Sequence, residues 1–515
     1  MHSGIVILDF GSQFTQLIAR RLREENVFSQ IFPYSEPLEN IEKLKPKGII
    51  ISGGPFSVSD SEAPKRDVLE LINRWPVLGV CYGMQLITEQ LGGRVKKADK
   101  REYGLADVDW FKSLSSNVPK KQSVWMSHGD IIEEIPKGFE LLAESHQGHP
   151  AAIKSDSHQV WALQFHPEVS HTDHGVDIIK AFAMELCGAK PDWTAQNILD
   201  EMFKTIKEQV PEGESVLCAL SGGVDSTVTG TLLTQALGAK RVHCVFVDNG
   251  LLRKNEFEEV IEIYKTLGLN VQGVRAEEEF LKNLSGKSDP EEKRKIIGHT
   301  FIDVFKKSIS EIETDLGGKI KWLAQGTLYP DVIESVSVYG KSETIKSHHN
   351  VGGLPKDLQL QLVEPLRELF KDEVRAVGAS LGIPRDILWR HPFPGPGLGI
   401  RVLGAITKEC LETLREADAI YIEELKKQGL YDQIWQAFSV LLPVRTVGVQ
   451  GDGRTYRQVL GLRAVTSKDG MTADWFNFPT SFLRQVSNRI TNEVHGVNRV
   501  VYDITSKPPG TIEWE

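Results

Sequence analysis

One stretch decides how the middle of the chain folds: Val216-Leu217-Cys218-Ala219-Leu220-Ser221-Gly222-Gly223-Val224-Asp225-Ser226-Thr227. Its apolar start is typical of a buried strand, and the residues after the two glycines have the spacing of a helix. Adjacent glycines let backbone amides converge on an anion, while the serine hydroxyls and the N-terminal end of the helix add further attraction. The stretch therefore predicts a phosphate-binding loop in an α/β sheet. The alternative is an ordinary glycine-rich turn that caps a helix.

The loop lacks the lysine of a Walker loop, and this indicates which phosphate group it holds. A Walker loop has a lysine directly after its last glycine, and that lysine reaches the β and γ phosphates of a nucleotide. Val224 occupies that place here. We therefore expect the loop to hold pyrophosphate as a leaving group, and we expect Asp225 to help place a Mg²⁺ ion.

Length and composition limit the class of protein. The 515 residues exceed what one core can hold and suggest about three domains. The hydrophobic share of 40% is that of a globular protein, and the apolar runs are far shorter than the ~20 residues of a membrane-spanning helix. A net charge of -10 argues against nucleic acid as a partner. Five widely separated cysteines, without a C-x-x-C pair, favour reduced thiols, no zinc site and a cytoplasmic location.

Apolar runs and amphipathic stretches alternate over the first part of the chain and again from the phosphate-loop stretch onward, which predicts mostly parallel sheets covered by helices. Residues 188–192 are predicted to be a linker. Residues 392–397, with three prolines and two glycines, are predicted to end the second domain. The sequence therefore predicts an α/β fold with two successive doubly wound parallel-sheet domains, residues 1–190 and 191–391, followed by a smaller α+β domain, residues 392–515. Residues 344–355 are polar, contain Gly-Gly and predict a mobile loop beside a ligand site.

A candidate nucleophile stands in the segment Gly79-Val80-Cys81-Tyr82-Gly83, between an apolar run and a helical stretch. A sharp turn there presents the thiol at the carboxyl edge of a sheet, and the following helix favours its thiolate form. The Tyr82 amide and the loop Gly53-Gly54 could donate to an oxyanion. In the extended segment His166-Pro167-Glu168 the first and third side chains share a face, so Glu168 could orient His166 while His166 exchanges protons with the thiol. Taken singly, the cysteine and the histidine could equally be a buried structural thiol and a surface imidazole.

These motifs resemble those of the class I glutamine amidotransferases, which have a G-x-C-x-G turn and an H-P-E segment near the end of the domain. The resemblance covers residues 1–190. It implies that the thiol attacks the amide carbon of glutamine, that ammonia leaves, and that water releases glutamate from the thioester. The implied catalytic triad is Cys81, His166 and Glu168, and the implied oxyanion loops contain Gly53, Gly54 and Tyr82.

The second predicted domain is similar to the ATP pyrophosphatases, which cleave ATP between its α and β phosphates in order to adenylate an oxygen. Residues 247–253 (V-D-N-G-L-L-R), 325–331 (Q-G-T-L-Y-P-D) and 507–515 (K-P-P-G-T-I-E-W-E) narrow the resemblance, over the whole chain, to the glutamine-hydrolysing GMP synthases. It implies ATP and xanthosine 5'-monophosphate (XMP) as substrates and an adenylyl-XMP intermediate, from which ammonia displaces AMP to give GMP. It also implies Mg²⁺ at Asp225, a phosphate contact from Lys371 and an adenine pocket at Val247.

The resemblance also points to contacts with XMP, in which positive groups suit the 5'-phosphate and the chain's last residues suit the purine edge. These are Arg294, Gln436, Arg499, Lys507, Ile512 and Glu513. Such a role requires a docked tail, although chain ends normally fray. The last domain is expected to pair two subunits into a homodimer, and the alternative is an intramolecular lid. No nucleic-acid or membrane partner is expected.

Three other readings of the sequence remain open. An RNA-modifying sulfur or nitrogen transferase can share the pyrophosphatase unit, but it needs a basic face and cysteines near the phosphate loop. A non-catalytic glutamine or nucleotide sensor can share the fold, but it is expected to lack part of the triad or of the phosphate loop, whereas Cys81, His166, Glu168 and Asp225 are all present. An asparagine-synthetase-type glutaminase is disfavoured because its nucleophile is an N-terminal cysteine, and this chain begins Met1-His2.

Overall fold

A computed structural model describes residues 4–335, 360–450, 453–467, 470 and 472–515. These residues form two compact units. The first contains the described residues up to Ile198 together with residues 329–335, and the second contains residues 199–328 and the described residues from 360 onward. The loop predicted at residues 344–355 lies outside the described residues. The domain boundaries predicted at residues 190 and 391 stay predictions.

The first unit alternates strands and helices until α4 and then continues mainly with strands. Its strands are β1 (Ile5–Asp9), β2 (Ser29–Pro33), β3 (Gly48–Ile51), β4 (Val77–Val80), β5 (Arg94–Trp110), β6 (Lys121–Glu134), β7 (Glu140–Ser145), β8 (Pro150–Ser155) and β9 (Val160–Leu163). Its helices are α1 (Thr15–Glu24), α2 (Leu38–Lys43), α3 (Val68–Ile72), α4 (Tyr82–Gln90) and α5 (Gly175–Ala181), the last followed by a π-helical turn at Phe182–Leu186.

The nine strands of the first unit form one sheet in the order β2-β1-β3-β4-β9-β8-β7-β5-β6. The first five in that order are parallel, and β1, β3, β4 and β9 are buried along their whole length, as expected for strands covered by helices on both faces. The remaining four strands continue the sheet in antiparallel pairs. The predicted α/β class is confirmed, and the sheet has an antiparallel extension that was not predicted.

From residue 195 onward the chain first repeats the alternation of strands and helices and then ends in a second pattern. The helices are α6 (Ala195–Gln209), α7 (Val224–Leu237), α8 (Glu256–Thr266), α9 (Glu277–Leu284), α10 (Pro290–Leu316), α11 (Tyr329–Ser335), α12 (Lys371–Ser380), α13 (Arg385–Leu388), α14 (Lys408–Lys427) and α15 (Thr480–Glu493). The strands are β10 (Val216–Leu220), β11 (Val242–Asp248), β12 (Val271–Arg275), β13 (Trp322–Ala324), β14 (Gln361–Val363), β15 (Gln436–Gln450), β16 (Gly453–Thr466), β17 (Asp474–Trp475) and β18 (Val497–Tyr502).

Helix α10 shows how local sequence sets an element of this unit. Asp289 caps its start, because the side chain accepts a hydrogen bond from the Glu292 amide at 2.8 Å, and Pro290 occupies the first helical position. The helix ends where Gly317 adopts a left-handed conformation with φ 64°. The capped start corresponds to the Asp-Pro-Glu-Glu signal in the sequence.

The second unit contains two sheets. Five parallel strands form the first, in the order β12-β11-β10-β13-β14. In the other, β16 pairs with β15 and β17 in antiparallel fashion and with β18 in parallel. One apolar core includes side chains from both sheets and from the helices between them, such as Leu217, Val245, Leu460 and Phe482. The predicted parallel sheet and smaller α+β region are therefore present in this unit.

Candidate active sites

The turn around Cys81 joins β4 to α4 by a very close approach of two glycines. A Cβ atom added to Gly79 would lie 2.8 Å from the carbonyl carbon of Gly83, and one added to Gly83 would collide with the backbone oxygen of Ile51. Cys81 itself has φ 52° and ψ -105°, a conformation that residues other than glycine rarely adopt. The two glycines thus permit the turn, and the turn places the thiol at the carboxyl end of the parallel strands.

The structure brings Cys81, His166 and Glu168 together at this edge of the sheet. All three are buried, with 4%, 3% and 0% of their surface exposed. The His166 Nδ1 atom lies 2.7 Å from Glu168 Oε1. Burial lowers the pKa of His166, but the charges of Glu168 and Cys81, and hydrogen bonds to both, outweigh it and raise that pKa to about 10. The raised pKa favours the imidazolium form of His166 beside Cys81.

The predicted oxyanion residues surround the same thiol. A Cβ atom on Gly53 would lie 3.1 Å from His166 Cε1 and 3.6 Å from Cys81 Cβ, and one on Gly54 would lie 2.8 Å from the Phe10 carbonyl oxygen. These two positions follow β3, and only glycine fits both without a shift of neighbouring atoms. The Tyr82 side chain points into the core, where its hydroxyl donates to the Pro64 carbonyl at 2.6 Å, so only its backbone can serve the site.

Four residues beside the thiol were not predicted from the sequence. The Cys81 sulfur lies 3.7 Å from the Ser127 carbonyl oxygen, and Gln164 Nε2 donates to that sulfur at 3.8 Å. Gln85 Nε2 donates in turn to Gln164 Oε1 at 3.4 Å. The ring of Phe14 stands edge-on to that of His166, with centroids 5.0 Å apart. Gln164 could have been found, because it precedes the histidine by two residues and so shares its face in an extended segment.

The predicted phosphate loop follows β10 and opens helix α7. Gly222 has φ 75°, a value that glycine adopts without steric cost. Ser226 Oγ accepts a hydrogen bond from the Ser221 amide at 3.1 Å and lies 3.0 Å from Ser221 Oγ, so the two serines close the turn. Thr227 Oγ1 donates to the Gly223 carbonyl at 2.8 Å. The loop and the N-terminus of a 14-residue helix thus form one surface, which is suited to an anion.

The loop lies where the order of the parallel sheet reverses, between β10 and β13, and ligands of such sheets bind at this point. Gly326, which follows β13, packs so closely on the loop that an added Cβ atom would lie 3.2 Å from the carbonyl carbon of Asp225. Lys371 begins α12, and this helix packs on α7 through Gly378. Val247 is a buried member of β11 and of the apolar core.

Three of the six residues predicted to contact XMP lie together near the end of the chain. Glu513 accepts hydrogen bonds from Arg401 Nε and Nη2, at 3.1 and 2.8 Å, and from Gln436 Nε2 at 2.7 Å. Arg294 donates to the backbone carbonyl of Glu515. The docked tail that the prediction required is thus present, and Arg401 is a partner of Glu513 that the sequence did not reveal.

The other three residues make different contacts. Ile512 packs in a small apolar cluster with Phe438 and Val440. Lys507 Nζ donates to the Gly470 carbonyl at 2.8 Å. Arg499 is exposed on β18, and the contacts found among the described residues do not join it to the rest of this group.

The fold and these sites define a class I glutamine amidotransferase unit followed by a nucleotide-binding α/β unit. Family models agree with this class. "Glutamine amidotransferase class-I" matches residues 6–186, "NAD synthase" matches residues 196–297, and "GMP synthase C terminal domain" matches residues 423–514.

Full-length relatives give the particular family. The chain is 64% identical over 512 residues to a GMP synthase [glutamine-hydrolyzing] of Bdellovibrio bacteriovorus, with 99% of this chain and 100% of that protein covered. Proteins with the same description from Chlorobium luteolum and Brachyspira hyodysenteriae are 54% and 52% identical, each with 99% of this chain and 100% or 99% of the relative covered. The chain belongs to the family of glutamine-hydrolysing GMP synthases.

Proposed function

We propose that this protein aminates XMP to GMP, with ammonia taken from glutamine and with ATP cleaved to AMP and pyrophosphate. The observation that carries the proposal is the joint presence of a buried Cys81-His166-Glu168 site and a phosphate loop without a Walker lysine in one chain of this family. An activated oxygen and a source of ammonia are the two requirements of this substitution. XMP supplies an oxygen that is a poor leaving group, and adenylation makes it a good one.

In the proposed glutaminase step, the protonated His166 stabilises the thiolate of Cys81. The thiolate attacks the amide carbon of glutamine, and backbone amides at Gly54 and Tyr82 stabilise the oxyanion. His166 then gives its proton to the departing ammonia. Water attacks the thioester, the same imidazole takes a proton from it, and glutamate leaves with the thiolate restored. Glu168 holds the ring orientation throughout, because its carboxylate contacts Nδ1 and leaves Nε2 for the proton transfers.

In the proposed adenylation step, residues 221–227 hold the pyrophosphate portion of ATP, with Lys371 as a second phosphate contact and Val247 beside the adenine. Among the described residues, no three His, Cys, Asp or Glu side chains cluster in a way that could hold a metal ion. Mg²⁺ often takes one or two carboxylates together with substrate phosphates and water. The single carboxylate of Asp225, in the first turn of α7, fits a metal that arrives with ATP. Mg²⁺ bound in this way offsets charge on the pyrophosphate.

For XMP we propose a site around the docked tail. Glu513 and the backbone at Ile512 would recognise the purine edge, and the positive groups of Arg294, Arg499 and Lys507 would suit the 5'-phosphate, with Gln436 beside them. The support is the bidentate contact of Arg401 with Glu513, which holds the carboxylate in a defined place.

We also propose that residues 1–190 carry the glutaminase, residues 191–391 the adenylating activity and residues 392–515 the XMP contacts and a homodimer interface.

The β15–β16 hairpin exposes apolar side chains on one face. Val447 and Tyr456 lie directly opposite each other in the two strands with 48% and 61% of their surface exposed, and Val449 is 74% exposed. An apolar surface of this kind is typical of a contact with another protein, and a second copy of the chain is the proposed partner.

The proposed location is the cytoplasm. All five cysteines are free thiols, which suits a reducing compartment. In the part of the chain that the structure describes, the helices lack the length or hydropathy needed to cross a membrane.

The experiment that tests the proposal compares two nitrogen sources. Cys81→Ala is expected to abolish GMP formation from XMP, ATP and glutamine, and to leave GMP formation from ammonium chloride near the wild-type rate. Cys187→Ala, which removes a half-buried thiol of the same unit, serves as the matched control and is expected to keep both activities. Equal loss of both activities in Cys81→Ala, or release of ADP and phosphate instead of AMP and pyrophosphate, would contradict the proposal.

A further inference from the structure

A second buried acid–histidine pair lies in the antiparallel part of the first sheet, outside the triad. Glu102 on β5 and His128 on β6 are directly opposite each other in the strand register. Their exposed fractions are 5% and 4%, and Glu102 Oε2 lies 3.0 Å from His128 Nε2. Ser145 on β7 donates a hydrogen bond to Glu102 Oε1 at 2.8 Å. Three neighbouring strands thus contribute one polar group each to a buried cluster.

The balance of burial and contacts sets the ionisation of Glu102 in this cluster. Burial raises the pKa of Glu102, but His128 and Ser145 outweigh burial and hold that pKa below its usual value. Replacing both members of a buried polar pair by apolar groups of the same shape can be nearly neutral for stability, whereas loss of one member leaves a buried polar group unmatched and is unfavourable. The pair therefore suggests a requirement for one particular arrangement of the strands.

That arrangement concerns the backbone beside the catalytic thiol. His128 Nδ1 lies 2.9 Å from the carbonyl oxygen of Asp130, and its Nε2 lies 3.0 Å from Glu102 Oε2, so the ring stands between the carboxylate and this part of the backbone. The same carbonyl accepts a hydrogen bond from Gln85 Nε2 at 3.3 Å. On the other side of His128, the Ser127 carbonyl oxygen lies 3.7 Å from the Cys81 sulfur. Residues 127–130 are thus held by Glu102 and in turn contact the thiol and its neighbours.

The strand register adds an independent reason for the pair. The β5–β6 ladder is irregular between Lys97 and Glu102, and regular pairing resumes at Glu102 and His128. A shift by one residue would turn every following side chain to the opposite face. A buried polar pair at the point of resumption favours one register, because any other register leaves a buried polar group without its partner.

We propose that Glu102 and His128 are a positioning pair that holds residues 127–130 against Cys81, so that glutamine hydrolysis depends on the pair and adenylation does not. This inference rests on the proposed role of Cys81 as the glutaminase nucleophile. Neither residue touches the reacting atoms; both act through the backbone at Ser127 and Asp130.

The test uses Glu102→Gln, His128→Gln and the double variant in the full-length protein. Each single variant leaves one buried partner unmatched and is expected to lower kcat/KM for glutamine by about 10- to 100-fold, because a misplacement near 1 Å has that effect. The double variant places two neutral amides opposite each other and is expected to lose less than either single variant. Ammonia-dependent GMP synthesis is expected to stay within about twofold of wild type in all three. The rate of Cys81 alkylation by iodoacetamide is expected to change in the single variants and to recover in the double variant.

Glu133→Gln is the matched control. Glu133 forms an ion pair with Lys96 across the same two strands at 2.6 Å, but the two side chains are 32% and 50% exposed. The glutaminase activity of Glu133→Gln is expected to stay within about twofold of wild type, because exposed ion pairs contribute little to stability. The inference is wrong if both single variants hydrolyse glutamine and react with iodoacetamide at wild-type rates. It is also wrong if the loss of kcat/KM for glutamine in the double variant equals the combined losses of the two single variants. A wild-type protein without glutaminase activity would instead overturn the proposed function.

Discussion

The backbone at Cys81 predicts an unusual response to glycine. With φ 52° and ψ -105°, this residue occupies a region that is open to glycine and unfavourable for any residue with a Cβ atom. The conformation is held from both sides, because the Cys81 amide donates to the Leu163 carbonyl at 2.7 Å and the Cys81 carbonyl accepts from the Gln85 amide at 3.2 Å. The strain therefore persists in the folded protein and is relieved on unfolding.

The comparison of Cys81→Gly with Cys81→Ala isolates this strain, since both variants lack the thiol. Holding a residue with a Cβ atom in such a conformation costs about 1–3 kcal/mol. A chain with glycine gains more conformational entropy on unfolding than a chain with alanine, and this lowers the free energy of unfolding of the glycine variant by about 0.4–1 kcal/mol. The glycine variant is therefore expected to be more stable than the alanine variant by about 1–2 kcal/mol. At Cys187, where φ is -87° and ψ is -16°, the sign reverses, and alanine is expected to be more stable by about 0.5–1 kcal/mol.

Hydrogen exchange in the full-length protein, followed by mass spectrometry on peptides from β3 and β4, measures these differences within the first unit. Slower exchange in Cys81→Gly than in Cys81→Ala, with the opposite order at Cys187, is the expected result. If glycine is the less stable choice at both positions by similar amounts, the turn at Cys81 stores no strain and the argument is refuted.

Two further predictions concern the second unit. Asp225→Asn is expected to stop the release of pyrophosphate from ATP in the presence of XMP, with either nitrogen source, because Asp225 is the carboxylate proposed for Mg²⁺. AMP formation at the wild-type rate in this variant would contradict that role. Val447→Asp places a charge on the exposed apolar face of the β15–β16 hairpin, and it is expected to shift the mass measured by light scattering from that of a dimer to that of a monomer. Leu69→Asp is the control, because it changes an exposed apolar side chain elsewhere, and it is expected to leave the dimer intact. A wild-type mass equal to one chain would exclude the interface.

Short-range chemistry explains why parts of this protein could be predicted from the sequence. The phosphate loop and the thiol turn each combine a buried strand, glycines at fixed positions and a helix start, and all three are local. Gly79 and Gly83 are a clear example, because their spacing around Cys81 is required by contacts within the turn itself and with the adjacent β3. Cys81, His166 and Glu168 were predicted as a group from two local motifs, the turn around Cys81 and the His-Pro-Glu segment, together with the resemblance to the class I glutamine amidotransferases.

Strand direction and pairing could not be predicted in the same way. The period of two along β5 and β6 identifies a strand, but it does not say which strand is its neighbour or whether the pair is antiparallel. The Glu102–His128 pair depends on that neighbour, and so does the approach of Ser127 to the thiol. These contacts join residues that are tens of positions apart, and local pattern carries no information about them.

The docked tail shows a different limit, because its order depends on strands and loops far earlier in the chain. Arg401 and Arg463 are fully buried, and a buried guanidinium without acceptors is strongly unfavourable. The tail provides these acceptors, since Arg401 binds the Glu513 carboxylate and Arg463 donates to the Thr511 carbonyl at 3.2 Å. In the sequence both arginines stand inside apolar runs, Gly-Ile-Arg-Val-Leu and Leu-Gly-Leu-Arg-Ala-Val. An arginine in such a run predicts a buried cation that needs a partner, so the two arginines are one reason that the tail is ordered, together with the packing of Ile512 and the contact of Arg294 with Glu515.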